Sequence, residues 1–149
     1  MNQNQTKVLL QTLKSKLFDI NKLVEVMALI NEQENWYKKT RDLIAITRPA
    51  PVTVVDTINA VMQAQWQRGT QWAAAHAKSL YEEIKAFVDE GRCAVPNEKY
   101  RLMWLGRGLW HDFAFYQNFE EKYGAVFTWS MYLAMGADAY IRNNFEQDP

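Results

Sequence analysis

Two short loops contain the side chains of this chain that are best suited to bind a ligand. The first loop reads GRGLWH (residues 106–111) and the second reads WSMY (residues 129–132). Each follows an apolar run that predicts a β-strand, over residues 101–105 and 125–129, with a helix-length segment between them. Because parallel strands end at one edge of a sheet, we expect both loops to border a single crevice. The predicted contacts in that crevice are Arg107, Trp110, Trp129, Ser130 and Tyr132 for a substrate, and His111 as a candidate catalytic proton donor.

The glycines of the first loop favour close approach of the backbone to a ligand. Gly106 and Gly108 have no side chain to block it, and a helix predicted from about Leu109 would direct its N-terminus at an anion. The third glycine of the dinucleotide fingerprint is missing, and no acidic residue is placed for a ribose, so a nicotinamide site is rejected. The alternative for His111 is a structural histidine that bonds Asp112 or solvent. Asp138 and Tyr140 are further candidates for the crevice, with surface or packing roles as the alternative.

The rest of the chain is predicted to be helical. Helices are expected over residues 6–17, from Ile20 to before Pro49, from Thr53 to a break at Gly69, and from Thr70 to about Glu90. Asp19 is the predicted N-cap of the second of these, and Thr53 with Asp56 forms a capping box for the third. The sequence therefore predicts a mixed α/β chain: an N-terminal helical segment (1–99), followed by an incomplete Rossmann-like β-α-β unit with parallel strands (100–149).

Composition limits the classes of partner. The 149 residues contain 17 basic and 17 acidic side chains, so no net charge attracts nucleic acid or an anionic membrane. The chain contains one cysteine, Cys93, which excludes an internal disulfide and a cysteine-rich metal site made by this chain alone. No signal peptide or membrane span is recognisable, so cytoplasm is the expected location. Six Trp, seven Tyr and seven Phe predict either a large aromatic core or a flat apolar ligand or interface.

One long segment identifies a family. RLMWLGRGLWHDFAFYQNFEEKYGAVFTWSMYLAMGADAYIR closely resembles the benzoyl-CoA reductase / 2-hydroxyacyl-CoA dehydratase family, and within it most resembles the benzoyl-CoA reductase subunit that carries an iron–sulfur cluster. The upstream runs ALINEQENWYKKTRDLI and VMQAQWQRGTQW are also similar to that family, so the resemblance covers nearly the whole chain.

The resemblance implies a subunit several hundred residues long, with two α/β lobes. A 4Fe-4S cluster would lie between the lobes, held by cysteines outside this chain and not bound by this chain alone. The implied partners are an acyl-CoA substrate, a paralogous cluster-carrying subunit and an ATP-dependent activator. The implied reaction is iron–sulfur-mediated reduction of an aromatic acyl-CoA, as in anaerobic aromatic degradation, or dehydration of a 2-hydroxyacyl-CoA.

Three functions are therefore expected, in this order. The first is an interior segment of a benzoyl-CoA reductase-type subunit that contributes to acyl-CoA binding, which makes the full-length protein an enzyme and leaves the isolated chain undecided. The second is a 2-hydroxyacyl-CoA dehydratase subunit, a lyase. The third is a non-catalytic helical interaction module. Because two strands leave exposed sheet edges, we expect the isolated chain to be oligomeric.

Overall fold

The order of elements is helices first and a β-α-β unit second. The computed structural model describes Lys7, Val8, Gln11 and residues 19–137. The predicted helix over residues 6–17 lies almost entirely outside the described residues, and Asp138 and Tyr140 lie outside them completely. The elements are α1 (Ile20–Ile46), α2 (Val54–Gln65), α3 (Gln71–Asp89), β1 (Tyr100–Trp104), α4 (Ala114–Tyr123), β2 (Ala125–Ser130) and α5 (Met131–Gly136). This order confirms the predicted mixed α/β class with two parallel strands.

The predicted caps of the first helices are present. The Asp19 carboxylate accepts a hydrogen bond from the backbone N–H of Asn21 at 2.9 Å. The Thr53 backbone N–H donates to the Asp56 carboxylate at 2.8 Å, which is one half of the capping box. Thr70 starts α3, and its hydroxyl accepts from the Ala73 N–H at 3.2 Å. These side-chain acceptors satisfy amide groups that the first turn of a helix leaves unpaired.

The start of α4 differs from the prediction. The helix begins at Ala114 and not near Leu109. Residues 109–112 form a turn instead, in which the Asp112 N–H donates to the Leu109 carbonyl at 2.9 Å. The Asp112 carboxylate then accepts from the Phe115 N–H at 3.2 Å, so it caps the first turn of α4. The expected anion site at a helix N-terminus near Leu109 was therefore wrong.

Helices α1 and α3 form the main helical packing. Small residues on α3, Ala73 and Ala77, are fully buried and allow the two helices to approach closely. Leu133 of α5 lies in the same core, so the helical segment and the β-α-β unit share one set of packing contacts. Leu23 and Met27, which were expected on the buried face of α1, are exposed. Helix α1 is 27 residues long and α3 is 19, so the first turns of α1 extend past its main partner.

One face of the sheet is covered by aromatic side chains. Leu102, Trp104 and Phe127 pack against α4 and the start of α2. Trp104 meets Tyr116 edge-to-face with ring centroids 5.1 Å apart, and Tyr116 meets Phe127 in the same way at 5.5 Å. Much of the aromatic content of the C-terminal part therefore builds a core. No helix within residues 19–137 has both the length and the apolar composition needed to cross a bilayer.

The other face of the sheet is anchored by Arg101. Its guanidinium donates to the carbonyls of Ile44 at 3.0 Å and Ala45 at 3.1 Å, and to the carbonyl of Thr47. These are carbonyls at the end of α1 that have no partner within the helix, where the helix dipole favours a positive charge. The contact therefore fixes β1 against the end of α1.

Glu98 completes this anchor, which we call the Arg101–Glu98 clamp. Its carboxylate accepts from the Arg101 Nε at 2.6 Å and from the Ala50 N–H at 2.5 Å. The two side chains are only 14% and 6% exposed. Burial opposes the charge of Glu98, but these hydrogen bonds and the charges of Arg101 and Arg48 hold the pKa of its carboxyl below the ordinary value. The clamp therefore joins the end of α1, the following linker and β1.

Removing the Arg101 guanidinium should lower the stability of the chain. Arg101→Ala leaves the Glu98 carboxylate buried without its partner, so we expect a loss of about 3 kcal/mol or more in the free energy of unfolding. Urea denaturation followed by circular dichroism measures this loss. Lys85→Ala is the control, because it removes the exposed Lys85–Asp89 pair on α3, and solvent-exposed pairs contribute little to stability. Equal losses in both variants would contradict the role of the clamp.

The clamp also predicts how stability responds to acid. Since the folded pKa of Glu98 lies below the ordinary value of 4.5, the stability that its charge contributes is complete above pH 4.5. That contribution is lost as the pH falls below 4.5 through the folded pKa. Glu98→Gln should therefore destabilise the chain at pH 7 and cost progressively less as the pH falls below 4.5, measured by thermal melts of both proteins. A difference that does not change with pH would refute this assignment.

Candidate functional site

The loop after β1 meets the first turn of α5, which directly follows β2, at a tyrosine hydroxyl. The buried Gly108 N–H donates to the Tyr132 hydroxyl oxygen at 2.8 Å. The Trp110 indole N–H donates to the same oxygen at 3.3 Å, and the two rings meet edge-to-face with centroids 5.5 Å apart. The crevice expected from the parallel strands therefore brings together one residue from each loop, Trp110 and Tyr132.

Gly108 packs tightly against this contact. A Cβ at position 108 would lie 3.1 Å from the Tyr132 Cε2 atom and 3.3 Å from the Trp110 Nε1 atom. Both distances are shorter than comfortable carbon contacts, so a larger residue would push the two rings apart. The glycine thus serves packing of the protein on itself, whereas the sequence suggested approach to a ligand.

A cleft opens beside these rings, between the loop after β1, the start of α5 and helix α2. Its volume is about 450 Å³, within the range of small-molecule sites. We call it the α2 cleft. Its aromatic walls are Trp110, which is 46% exposed, and Trp66, which is 80% exposed. The residues that line it are Asn59, Met62, Gln63, Trp66, Trp110 and Tyr132, none of which is charged.

Four of the predicted site residues lie elsewhere. Arg107 and His111 are exposed and do not line the α2 cleft. Ser130 is fully buried, and its hydroxyl accepts from the Leu133 N–H at 3.5 Å, at the start of α5. Trp129 is half-buried and pairs in register with Met103. Since neighbouring strand residues point to opposite faces, Trp129 lies on the face away from the aromatic core and from the cleft.

The sequence reasoning missed the contribution of α2. Val54, Ile58 and Val61 follow the helical spacing of a buried stripe. Trp66 follows Val61 by five residues, which on a helix of 3.6 residues per turn lies well off that stripe. Met62 and Trp66 instead form a second apolar row beside it. A large aromatic residue displaced from the buried row was the available signal for an exposed apolar wall.

The side chains present do not fit an iron–sulfur cluster. Such a cluster requires about four thiolates, and Cys93 is the one cysteine of the chain. Across residues 19–137 and the three described positions before them, no three His, Cys, Asp or Glu side chains gather where a metal ion could be held. Cys93 is half-buried and lines a different cavity of about 570 Å³, together with His76 and Arg92. A cluster would therefore need ligands from outside this chain.

Comparison with known proteins gives a family and two relatives. The 2-hydroxyglutaryl-CoA dehydratase D-component family matches residues 4–149. The (R)-2-hydroxyisocaproyl-CoA dehydratase alpha subunit of Clostridioides difficile is 27% identical over 138 residues, 92% of this chain and 34% of that protein. The (R)-phenyllactyl-CoA dehydratase alpha subunit of Clostridium sporogenes is 28% identical over 124 residues, 83% of this chain and 30% of that protein. The chain thus spans about a third of the length of these relatives. No solved structure is significantly similar.

The shared hydroxyl gives a direct test of the loop contact. Tyr132→Phe keeps the ring and removes the acceptor, which leaves the buried Gly108 N–H without a partner. We expect a loss of about 1–3 kcal/mol in the free energy of unfolding, measured by urea denaturation. Tyr123→Phe makes the same chemical change at an exposed tyrosine of α4 and should leave stability unchanged. If Tyr132→Phe is as stable as the control, the hydroxyl does not hold the loops together.

Proposed function

We propose that this chain, which belongs to the 2-hydroxyglutaryl-CoA dehydratase D-component family, forms one wall of the acyl-CoA site of a 2-hydroxyacyl-CoA dehydratase subunit. The observation that carries this proposal is the α2 cleft at the carboxyl ends of two parallel strands, where open α/β sheets bind their ligands. Its uncharged aromatic walls suit an acyl group, which would be held by apolar burial and ring contacts.

Tyr132 supplies the polar contact of this proposed site. A phenolic hydroxyl accepts through its lone pairs and donates one proton. The Gly108 N–H and the Trp110 indole N–H both donate to its oxygen, so its own proton stays available for an acceptor in the cleft. We propose that it donates to the thioester carbonyl of the substrate and thereby orients the acyl chain between Trp66 and Trp110. His111, exposed and adjacent to Trp110 in the sequence, remains the proposed proton-transfer residue.

The other groups that the reaction needs are proposed to come from polypeptide segments outside this chain. The relatives are about three times longer than this chain and are named alpha subunits. We therefore propose that cysteines outside this chain hold a cluster, which supplies electron transfer, and that a partner subunit and an activator complete the enzyme. In this proposal residues 1–99 connect two lobes and residues 100–149 begin the second. The exposed apolar residues at the β1 edge, Tyr100, Met103 and Leu105, support burial of that edge by further polypeptide.

The dehydratase branch now ranks above the reductase branch. The first sequence hypothesis was a benzoyl-CoA reductase-type subunit, and the relatives give it no specific support, whereas both are named 2-hydroxyacyl-CoA dehydratases. The reductase remains the second candidate because the aromatic walls of the cleft, Trp66 and Trp110, also suit a flat ring. Turnover of a 2-hydroxyacyl-CoA by the assembled enzyme, with no reduction of benzoyl-CoA, would support the first candidate; the reverse result would support the second.

Binding of a thioester by the full chain tests the proposal. We expect 4-methylpentanoyl-CoA to bind more tightly than free CoA in isothermal titration calorimetry, because the acyl group adds apolar burial. Trp110→Ala should weaken that binding about tenfold, since it removes one wall of the cleft. Trp72→Ala is the matched control: this half-exposed tryptophan stacks on His76 of α3 and does not line the cleft. Equal affinity for CoA and its thioester, or equal losses in both variants, would contradict the proposal.

A further inference from the structure

We propose that the α2 cleft selects an uncharged, apolar acyl side chain and rejects one that ends in a carboxylate. This inference rests on the proposed acyl-CoA function and adds to it the chemical class of the acyl group. This matters because the family is named for a 2-hydroxyglutaryl thioester, whose acyl chain ends in a free carboxylate.

The lining of the cleft is the first support. Met62, Trp66, Trp110 and the ring of Tyr132 present apolar surface, and the polar groups are the neutral amides of Asn59 and Gln63. Apolar side chains gain from leaving water on such a surface, at roughly 25 cal/mol per Å². A carboxylate placed there would lose its hydration and would meet no positive charge among the lining residues.

Of the two arginines closest in sequence to the residues that line the cleft, one is paired with a glutamate and the other lies outside the cleft lining. Arg68, in the turn that follows α2, forms an ion pair with the buried Glu34 and lies 3.4 Å from the Gln65 side-chain oxygen. Arg107 lies in the loop that contains Trp110, but it is exposed and outside the cleft lining. Neither guanidinium is therefore placed to pair with a carboxylate held between Trp66 and Trp110.

The size of the cleft suits the acyl part of an acyl-CoA and is too small for the whole ligand. A volume of about 450 Å³ lies in the lower part of the range for small-molecule sites. It accommodates an acyl side chain with the thioester, and leaves the charged nucleotide of CoA outside. Selection by this cleft therefore concerns the acyl side chain alone.

A charge placed in the wall should reverse the selection. We expect the full chain to bind 4-methylpentanoyl-CoA and 3-phenylpropanoyl-CoA at least about tenfold more tightly than glutaryl-CoA in calorimetric titrations. Gln63→Arg introduces a guanidinium at an exposed helical position that lines the cleft, so it should fold normally. It should improve glutaryl-CoA binding about tenfold and weaken binding of the two apolar thioesters.

Gln117→Arg is the matched control, because it makes the same substitution at an exposed position of α4 away from the cleft. It should leave all three affinities unchanged, which separates a local pairing from a general effect of added charge. Equal affinities of the unmodified chain for the three thioesters would overturn the selection while leaving acyl-CoA binding in place. Failure of all three to bind a chain with intact circular dichroism would overturn the proposed function itself. Improvement of glutaryl-CoA binding by both arginine variants would also refute the assignment to this cleft.

Discussion

The contact of Arg101 with the end of helix α1 is the constraint on which the rest of the structure depends. A two-stranded sheet is too small to be stable alone and must be held against other elements. Here one face of the sheet packs on the aromatic residues of α4, and the other face is tied to α1 through the Arg101–Glu98 clamp. A buried charge pair of this kind is costly to desolvate, and it is retained because the guanidinium also satisfies carbonyls that the helix end leaves unpaired. The position of β1, and so of the loop that follows it, is set by this contact.

The site is arranged around a second, smaller constraint, the hydroxyl of Tyr132. It accepts from the loop after β1 at Gly108 and from the indole of Trp110, and it belongs to α5, whose Leu133 lies in the helical core. The loop is thus positioned by both the sheet and the helices. Helix α2 contributes to both hydrophobic cores with its buried row, and the adjacent row of Met62 and Trp66 is left to form the far wall of the α2 cleft. The cleft therefore results from a second apolar row of α2 that lies beside the row buried in the two cores.

Local sequence rules predicted the elements better than they predicted the site. Caps act within a few residues, so Asp19, Thr53 and Thr70 marked helix starts that the structure contains. The same rules failed at Leu109, because a turn closed by Asp112 competes locally with the helix. Parallel pairing predicted a crevice between the strand ends, and it correctly brought Trp110 and Tyr132 together there. Parallel pairing could not predict that Trp66 and Gln63 line the cleft. Their position depends on how α2 crosses the sheet, and no local sequence pattern encodes that crossing. Ser130 and Trp129 lie outside the α2 cleft for a related reason: the direction of their side chains depends on strand register and on the irregularity after Leu102.

The most direct test of the account is to see which tryptophans sense a bound acyl group. The chain has six tryptophans, and each indole N–H gives its own proton–nitrogen NMR resonance. On titration of the labelled chain with 4-methylpentanoyl-CoA, the account predicts shifts for Trp66 and Trp110. It predicts none for Trp72, which lies on α3, or for Trp36, which packs on Tyr81 of that helix. Shifts confined to Trp36 or Trp72, or no indole shift at a saturating concentration of the thioester, would contradict the assignment of the acyl site to the α2 cleft.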